Sequence, residues 1–292
     1  MKFADPTNDI AFKKIFGDQN KKEILISFLN AILGFEGQHV ITNILIVNPY
    51  QVPKIEALKE TILDIKATNQ AGENFIIEMQ KKDLGNFAKR TLYYTSKAYV
   101  QQLNKGDNYS KLKKVYFIGL LKFDMFSSKN YISRHLILNT ETCLQDLDDF
   151  EFTFLELTKF NKPLNELNSL LDKWIYFLKH ASDLSIIPKE LENIPEIEEA
   201  FQIATQYGWN QQELEVYDYI GLKEYDEINA IQTAEKKALK KGIEQGIEQG
   251  KYNNNIKIAI KMLNNKMDID LIMKITELPE KIIVDLKIKH KQ

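Results

Sequence analysis

Apolar positions recur along this chain at two different periods, and the switches between them mark out its elements. In residues 7–33, Ile10, Ala11, Ile15 and Phe16 fall at helical spacing, and so do Ile24, Leu25, Phe28, Leu29 and Ile32. Thr7 or Asn8 can cap this helix, because a short polar side chain accepts from a free amide of the first turn. Gly17-Asp18 interrupts it. ITNILIV (41–47) is β-branched and predicts a strand ending at Asn48-Pro49. TILDIKAT (61–68) and NFIIEMQ (74–80) predict two more strands, joined by a short loop whose Gly72 suits a hairpin turn. Residues 84–104 return to the helical period. VYFIGLL (115–121) is continuously apolar, as suits a strand covered on both faces. The order helix, three strands, helix, strand predicts an α/β fold with a mixed central sheet flanked by helices.

Weaker patterns follow. Residues 131–138 and 150–157 predict strands, and 165–180 and 194–207 predict helices. Residues 226–252 are charged and helix-prone, and carry the internal repeat KGIEQGIEQGK. Its Gly242, Gly246 and Gly250 stand four apart among Glu, Gln and Lys, which fits a pliable helical linker or a close helix-helix contact. Three short helical patterns end the chain, at 256–264, 268–275 and 279–289, the last two resembling a small helix-turn-helix. The expected organisation is a core domain at 1–160, an acidic helical region at 161–230, a glycine-repeat linker at 231–252 and a small helical tail at 253–292.

Composition narrows the class. The 292 residues are 44% apolar and 27% charged, ordinary values for a soluble globular protein. Cys143 is the single cysteine, which excludes a disulfide framework and a cysteine-based zinc site within one chain. The histidines show no ligand spacing. No stretch is apolar enough for a signal core or a membrane span, so a cytoplasmic setting without membrane contact is expected. The net charge of −2 hides an asymmetry. Residues 79–122 hold ten Lys/Arg against two Asp/Glu, whereas 141–230 hold six against twenty. A polyanion is expected on the first segment and repelled by the second.

The basic segment begins directly after Glu78, and hairpin arithmetic gives that residue a partner. A turn symmetric about Ala71 sets Asp64 opposite Glu78, on a face shared with Ile62, Lys66, Ile76 and Gln80. Facing side chains on adjacent strands approach within roughly 4.5–5.5 Å at Cβ. Two carboxylates so close repel unless one stays protonated or a divalent cation bridges them. Oxygen-only ligands favour Mg²⁺ or Mn²⁺. Lys81, Lys82, Lys89 and Arg90 follow on the adjoining helix and can hold a phosphate backbone. By itself Glu-Met-Gln also fits a solvated strand edge; the pairing with Asp64 and the surrounding element order distinguish the two.

Taken together, TNDIAFKKIFG, ILDIKATNQAGENFIIEMQ, RTLYYTSKAY, VYFIGLLKF and FLELTKF resemble, in this order, the recombination-promoting nucleases, or putative transposases, of the PD-(D/E)XK nuclease superfamily. The likeness covers about residues 5–160 and the glycine-repeat tail. It implies a restriction-endonuclease-like core and a Mg²⁺-dependent DNA endonuclease linked to recombination or phage defence. Asp64 and Glu78 would then be metal ligands, Gln80 would stand at the superfamily's lysine, and Asp9 would match an acidic residue on the first helix. Arg90 and Tyr93 would match helix positions facing the site. Leu63 stands where the superfamily places proline, and Gln80 carries no charge, which leaves transition-state charge to the metal and to Lys66, Lys81 or Lys82. Cutting two strands favours a homodimer. A DNA-binding or recombination-assembly module without catalysis, and a transposase, are the alternatives.

Overall fold

The computed structural model describes residues 2–47, 50–51, 61–83 and 85–289. The chain divides into two compact units, residues 1–221 and 222–292.

In the first unit, α1 (Asp9–Phe16) starts where the Asn8 side chain accepts the Ile10 N–H at 3.1 Å. It stops at Gly17, where a Cβ would lie 2.5 Å from the Lys13 carbonyl oxygen. The second half of the expected helix is α2 (Lys22–Leu33), closed by Gly34 at φ 64°. A six-stranded mixed sheet follows. It comprises β1 (Ile44–Val47), β4 (Ile65–Asn69), β5 (Asn74–Gln80), β6 (Val115–Leu121), β7 (Ile132–Leu136) and β8 (Phe150–Glu156), in the order β1-β4-β5-β6-β8-β7. β1, β4 and β5 run antiparallel, β5, β6 and β8 are parallel, and β7 closes the edge antiparallel to β8. The parallel pair β5–β6 requires a crossover, and α3 (Phe87–Val100) supplies its helix. Asn48 and Pro49, the expected end of the first strand, lie outside the described residues.

The stretch expected as one strand at 61–68 is two. β3 (Thr61–Ile62) pairs with β2 (Tyr50–Gln51) in a separate ladder, and β4 begins only at Ile65. The break falls at Leu63-Asp64, where the Asp64 carboxylate bonds a backbone amide of the next strand. Short acidic side chains compete in this way with ladder hydrogen bonds.

Strand alternation sorts the core. Ile65, Ala67, Phe75, Ile77, Tyr116, Ile118 and Leu155 face one apolar cluster. The same cluster takes Phe12, Phe28, Trp174 of α4 (Leu170–His180) and Phe201 of α5 (Pro195–Ala204). The acidic stretch around α5 thus turns Ile197, Ala200, Phe201 and Ala204 into the core shared with the sheet, while Glu196, Glu198 and Glu199 are half-buried. On the other face, Ile76, Val115, Phe117, Leu121 and Phe154 pack against Phe87 and Ala98 of α3. β6 is buried at every residue, as its continuous apolar sequence predicts.

A 54-residue helix, α6 (Gln211–Asn264), runs through the charged repeat without a break. In the second unit its Ala259 and Met262 cluster with Ile272 of α7 (Ile269–Thr276), Leu278 and Ile283 of α8 (Glu280–Lys289). Among the described residues, no helix is long and apolar enough to cross a membrane.

Candidate active site

The hairpin turns through Gly72, at φ 81°, and pairs Ile65 with Ile77, Lys66 with Ile76 and Ala67 with Phe75. This is the register symmetric about Ala71. One step further, Asp64 has left the ladder but remains beside Glu78. The Asp64 N–H donates to Glu78 Oε1 at 3.2 Å, and the Met79 N–H donates to Asp64 Oδ2 at 2.8 Å. Glu78 therefore accepts from the backbone of Asp64, and Asp64 from the backbone next to Glu78, which holds the two carboxylates side by side. Glu78 is 6% exposed and sits near the carboxyl end of parallel strand β5. In open α/β sheets, binding crevices form outside these strand ends.

Burial sets the charge state of the pair. Desolvation pushes Asp64 up to about 6, against the Met79 amide and the Lys13 charge, which pull it down. For Glu78, desolvation and then the charge of Asp64 push it up to about 8, with the Asp64 amide, Arg90 and Lys13 opposing. Such a pair holds a proton near neutral pH unless further positive charge arrives.

Part of that charge comes from Lys13. Its Nζ lies 2.9 Å from Asp9 Oδ1 and 3.7 Å from Asp64 Oδ1. Burial opposes its charge, but the bond to Asp9 and the fields of Asp9, Asp64 and Glu78 outweigh that, so its pKa is raised. Sequence reasoning missed Lys13. The available signal was its place four residues after Asp9, one turn along the same helix face.

The remaining candidates separate. Gln80 is engaged at both ends of its amide: Nε2 donates to the Lys82 carbonyl at 3.0 Å, and Oε1 accepts from Arg90. The Arg90 guanidinium lies over the Phe87 ring at 4.9 Å, with its Nε buried and unbonded, and lowers the pKa of Glu78. Tyr94 packs against the apolar cluster of Ile76, Phe87 and Phe117, with Arg90 6.0 Å from its ring centroid, and desolvation and then the Glu78 charge raise its pKa. Its neighbour Tyr93 is 41% exposed, because Phe87, Thr91, Thr95 and Ala98 fix the phase of α3. Lys66 is half-buried on β4, and burial pushes its pKa down. Lys81 reaches Asp5 at 3.4 Å, Lys82 is half-buried, and Lys89 is exposed on α3. The side chain of Ile62 lies outside the described residues.

Among the described residues no three or more His, Cys, Asp or Glu side chains are grouped to hold a metal. The donor set is the Asp64–Glu78 pair with Asp9 reached through Lys13. Mg²⁺ asks for only one or two carboxylates, filling its remaining positions with water or phosphate. Their mutual repulsion, with an ammonium already lying between Asp9 and Asp64, marks a place suited to a hard cation. The residues present fit such an ion.

A six-stranded mixed sheet flanked by helices is the α/β architecture of the PD-(D/E)XK nuclease class. The family described as PD-(D/E)XK nuclease family transposase matches residues 6–234, and the chain belongs to it. No curated protein and no solved structure matches the chain. Membership makes it a nuclease or transposase by family, a class that generally uses divalent metal ions and acts on DNA.

Proposed function

We propose that this chain is a divalent-metal-dependent DNA endonuclease, working with Mg²⁺ or Mn²⁺ in the cytoplasm. Its narrower likeness is to the recombination-promoting nucleases, with a role in recombination or phage defence. The observation that carries the reading is the buried Asp64–Glu78 pair, cross-bonded through the Asp64 and Met79 amides and kept short of full ionisation by burial.

In this reading Asp64 and Glu78 hold the cation, which when bound supplies Lewis-acid charge and an acidified water. The chain's own residues do the rest. The two amide bonds hold the carboxylates side by side before substrate arrives, so little reorganisation is needed. Lys13, oriented by Asp9, provides positive charge that Gln80 lacks. Gln80 positions Arg90, and Arg90 with Lys89 and Lys82 receives the phosphate backbone.

Supercoiled plasmid with Mg²⁺ or Mn²⁺ tests this against Asp64→Ala and Glu78→Ala. Nicking by the native chain and its loss in both variants are expected. Equal nicking by all three would remove these residues from the site. Strand-joined products would favour transposition, the activity named in the family's description. Binding without nicking would leave a DNA-assembly module.

A further inference from the structure

The two edges of the six-stranded sheet differ. On β1 the outward backbone groups are occupied: the Ile46 N–H donates to Gln19 Oε1 at 2.7 Å, and Gln19 Nε2 donates to the Ile44 carbonyl at 3.2 Å. On β7 they are open. The Glu156 N–H donates to the Tyr131 carbonyl at 2.7 Å, which makes Tyr131 and Glu156 a hydrogen-bonded pair. Such pairs alternate along an antiparallel ladder, so the register makes Ser133 and His135 the next residues bonded to β8. Ile132, Arg134 and Leu136 then turn their N–H and C=O groups away from the sheet. Among the described residues, none bonds these N–H groups.

Proteins guard an open edge with lysine, proline or a bulge. β7 reads Ile-Ser-Arg-His-Leu and pairs with β8 without a bulge. Its one Lys or Arg is Arg134, whose guanidinium donates to the Ile32 and Leu33 carbonyls at the end of α2 and so leaves the edge unscreened. Apolar side chains continue past the strand instead. Leu136, Ile137 and Leu138 are exposed, and Leu144 and Leu147 on the same connection are 62% and 66% exposed. The surrounding sequence is acidic. Residues 135–158 hold six Asp/Glu and no Lys/Arg, and Glu141, Asp146 and Asp148 are exposed.

We infer that β7 is a docking edge for an extended, basic and apolar peptide segment of a partner protein, which joins the sheet as a seventh strand. Open backbone groups select an extended guest over a helical one. Ile132 and Leu136 share one face of the strand, so a guest with apolar side chains at alternate positions packs beside them. The acidic surroundings select lysine or arginine at the guest's other positions. They repel DNA, and they repel a second copy, which would bring the same acids to the contact. β7 stands three strands from β5, so the inference holds whether or not Asp64 and Glu78 cut DNA.

The probe is a short fluorescent peptide alternating lysine and valine, titrated into the full chain and read by anisotropy. Saturable binding is expected. The same peptide N-methylated at every amide keeps its charges and apolar groups but cannot pair, and should not bind. Glutamate in place of lysine should weaken binding by roughly tenfold or more. Leu136→Lys guards the edge with a charge and should weaken it by a similar factor. Leu136→Pro deletes an outward N–H that β8 does not use, and should abolish binding. Circular dichroism should show a native fold in both variants, because Leu136 is exposed; the lysine variant alone decides the matter if the proline variant unfolds. Amide exchange followed by NMR should slow at Ile132, Arg134 and Leu136 when the peptide binds. Ser133 and His135, already bonded to β8, should be slow with or without it. No binding, equal binding by the N-methylated peptide, indifference to Leu136→Lys, or protection confined to residues outside 132–136 would each overturn the inference. So would a dimer of the free chain that Leu136→Lys dissociates, since the edge would then belong to a second copy.

Discussion

Glu78→Gln offers the sharpest reading of the buried pair, because it keeps the shape and an oxygen to accept the Asp64 amide while deleting the proton. Glu78 titrates at about 8 in the folded chain against an ordinary value of 4.5. A carboxyl raised by folding contributes its stability fully below the unfolded value, and loses it as pH climbs to the folded value. Between about pH 6 and pH 8 the unfolded chain has already released the Glu78 proton, while the folded chain retains it. Each pH unit therefore removes ~1.4 kcal/mol, or roughly 2–3 kcal/mol over that interval. Asp64, at about 6, has given up most of its contribution before this window opens. Urea or thermal unfolding in EDTA should thus show the variant gaining on the native chain by roughly 2–3 kcal/mol from pH 6 to pH 8, about 5 °C in Tm. Added Mg²⁺ at pH 8 should return stability to the native chain and not to the variant. Parallel stability curves for the two proteins would refute the buried titration outright.

Lys13→Met removes the ammonium between Asp9 and Asp64, and nicking should fall roughly 100-fold with its pH profile displaced upward; an unchanged profile would remove Lys13 from the site. Arg90→Ala should weaken DNA binding and reduce the slope of log affinity against log salt by about one, read by fluorescence anisotropy; an unchanged slope would deny it a phosphate contact. Gly119→Ala places a Cβ 2.8 Å from Phe154 Cδ1, on the strand that pairs with β5 at Glu78, and should cost about 1–3 kcal/mol in urea unfolding; a neutral result would show that the Phe154 ring yields freely.

What could be read in advance follows how far apart in sequence each feature's causes lie. The Asp64–Glu78 relation was legible because a short turn through Gly72 sets the hairpin register from residues that are neighbours in the chain. The break before Ile65 was not, because 61–68 is β-rich throughout and only the Met79 amide explains why Asp64 leaves the ladder. Tyr93 and Tyr94 stand side by side in a helix whose inward phase is partly set by Thr91 and Thr95, so counting apolar residues alone does not choose between them. The expected core domain ends at residue 160, yet Trp174 and Phe201 lie in the sheet's own core, since an acidic sequence does not report what the opposite helix face covers. Lys13 is the instructive case. Nothing near it in sequence links it to Asp64, and only the packing of α1 brings its ammonium to the hairpin. The glutamine at position 80 looked like a loss of charge when judged within Glu-Met-Gln alone. With its amide tied to Arg90 and Lys82, and with Lys13 beside Asp64, positive charge reaches the carboxylates from two helices instead of from the strand. Strand position 80 is then free to be neutral without leaving the pair uncompensated.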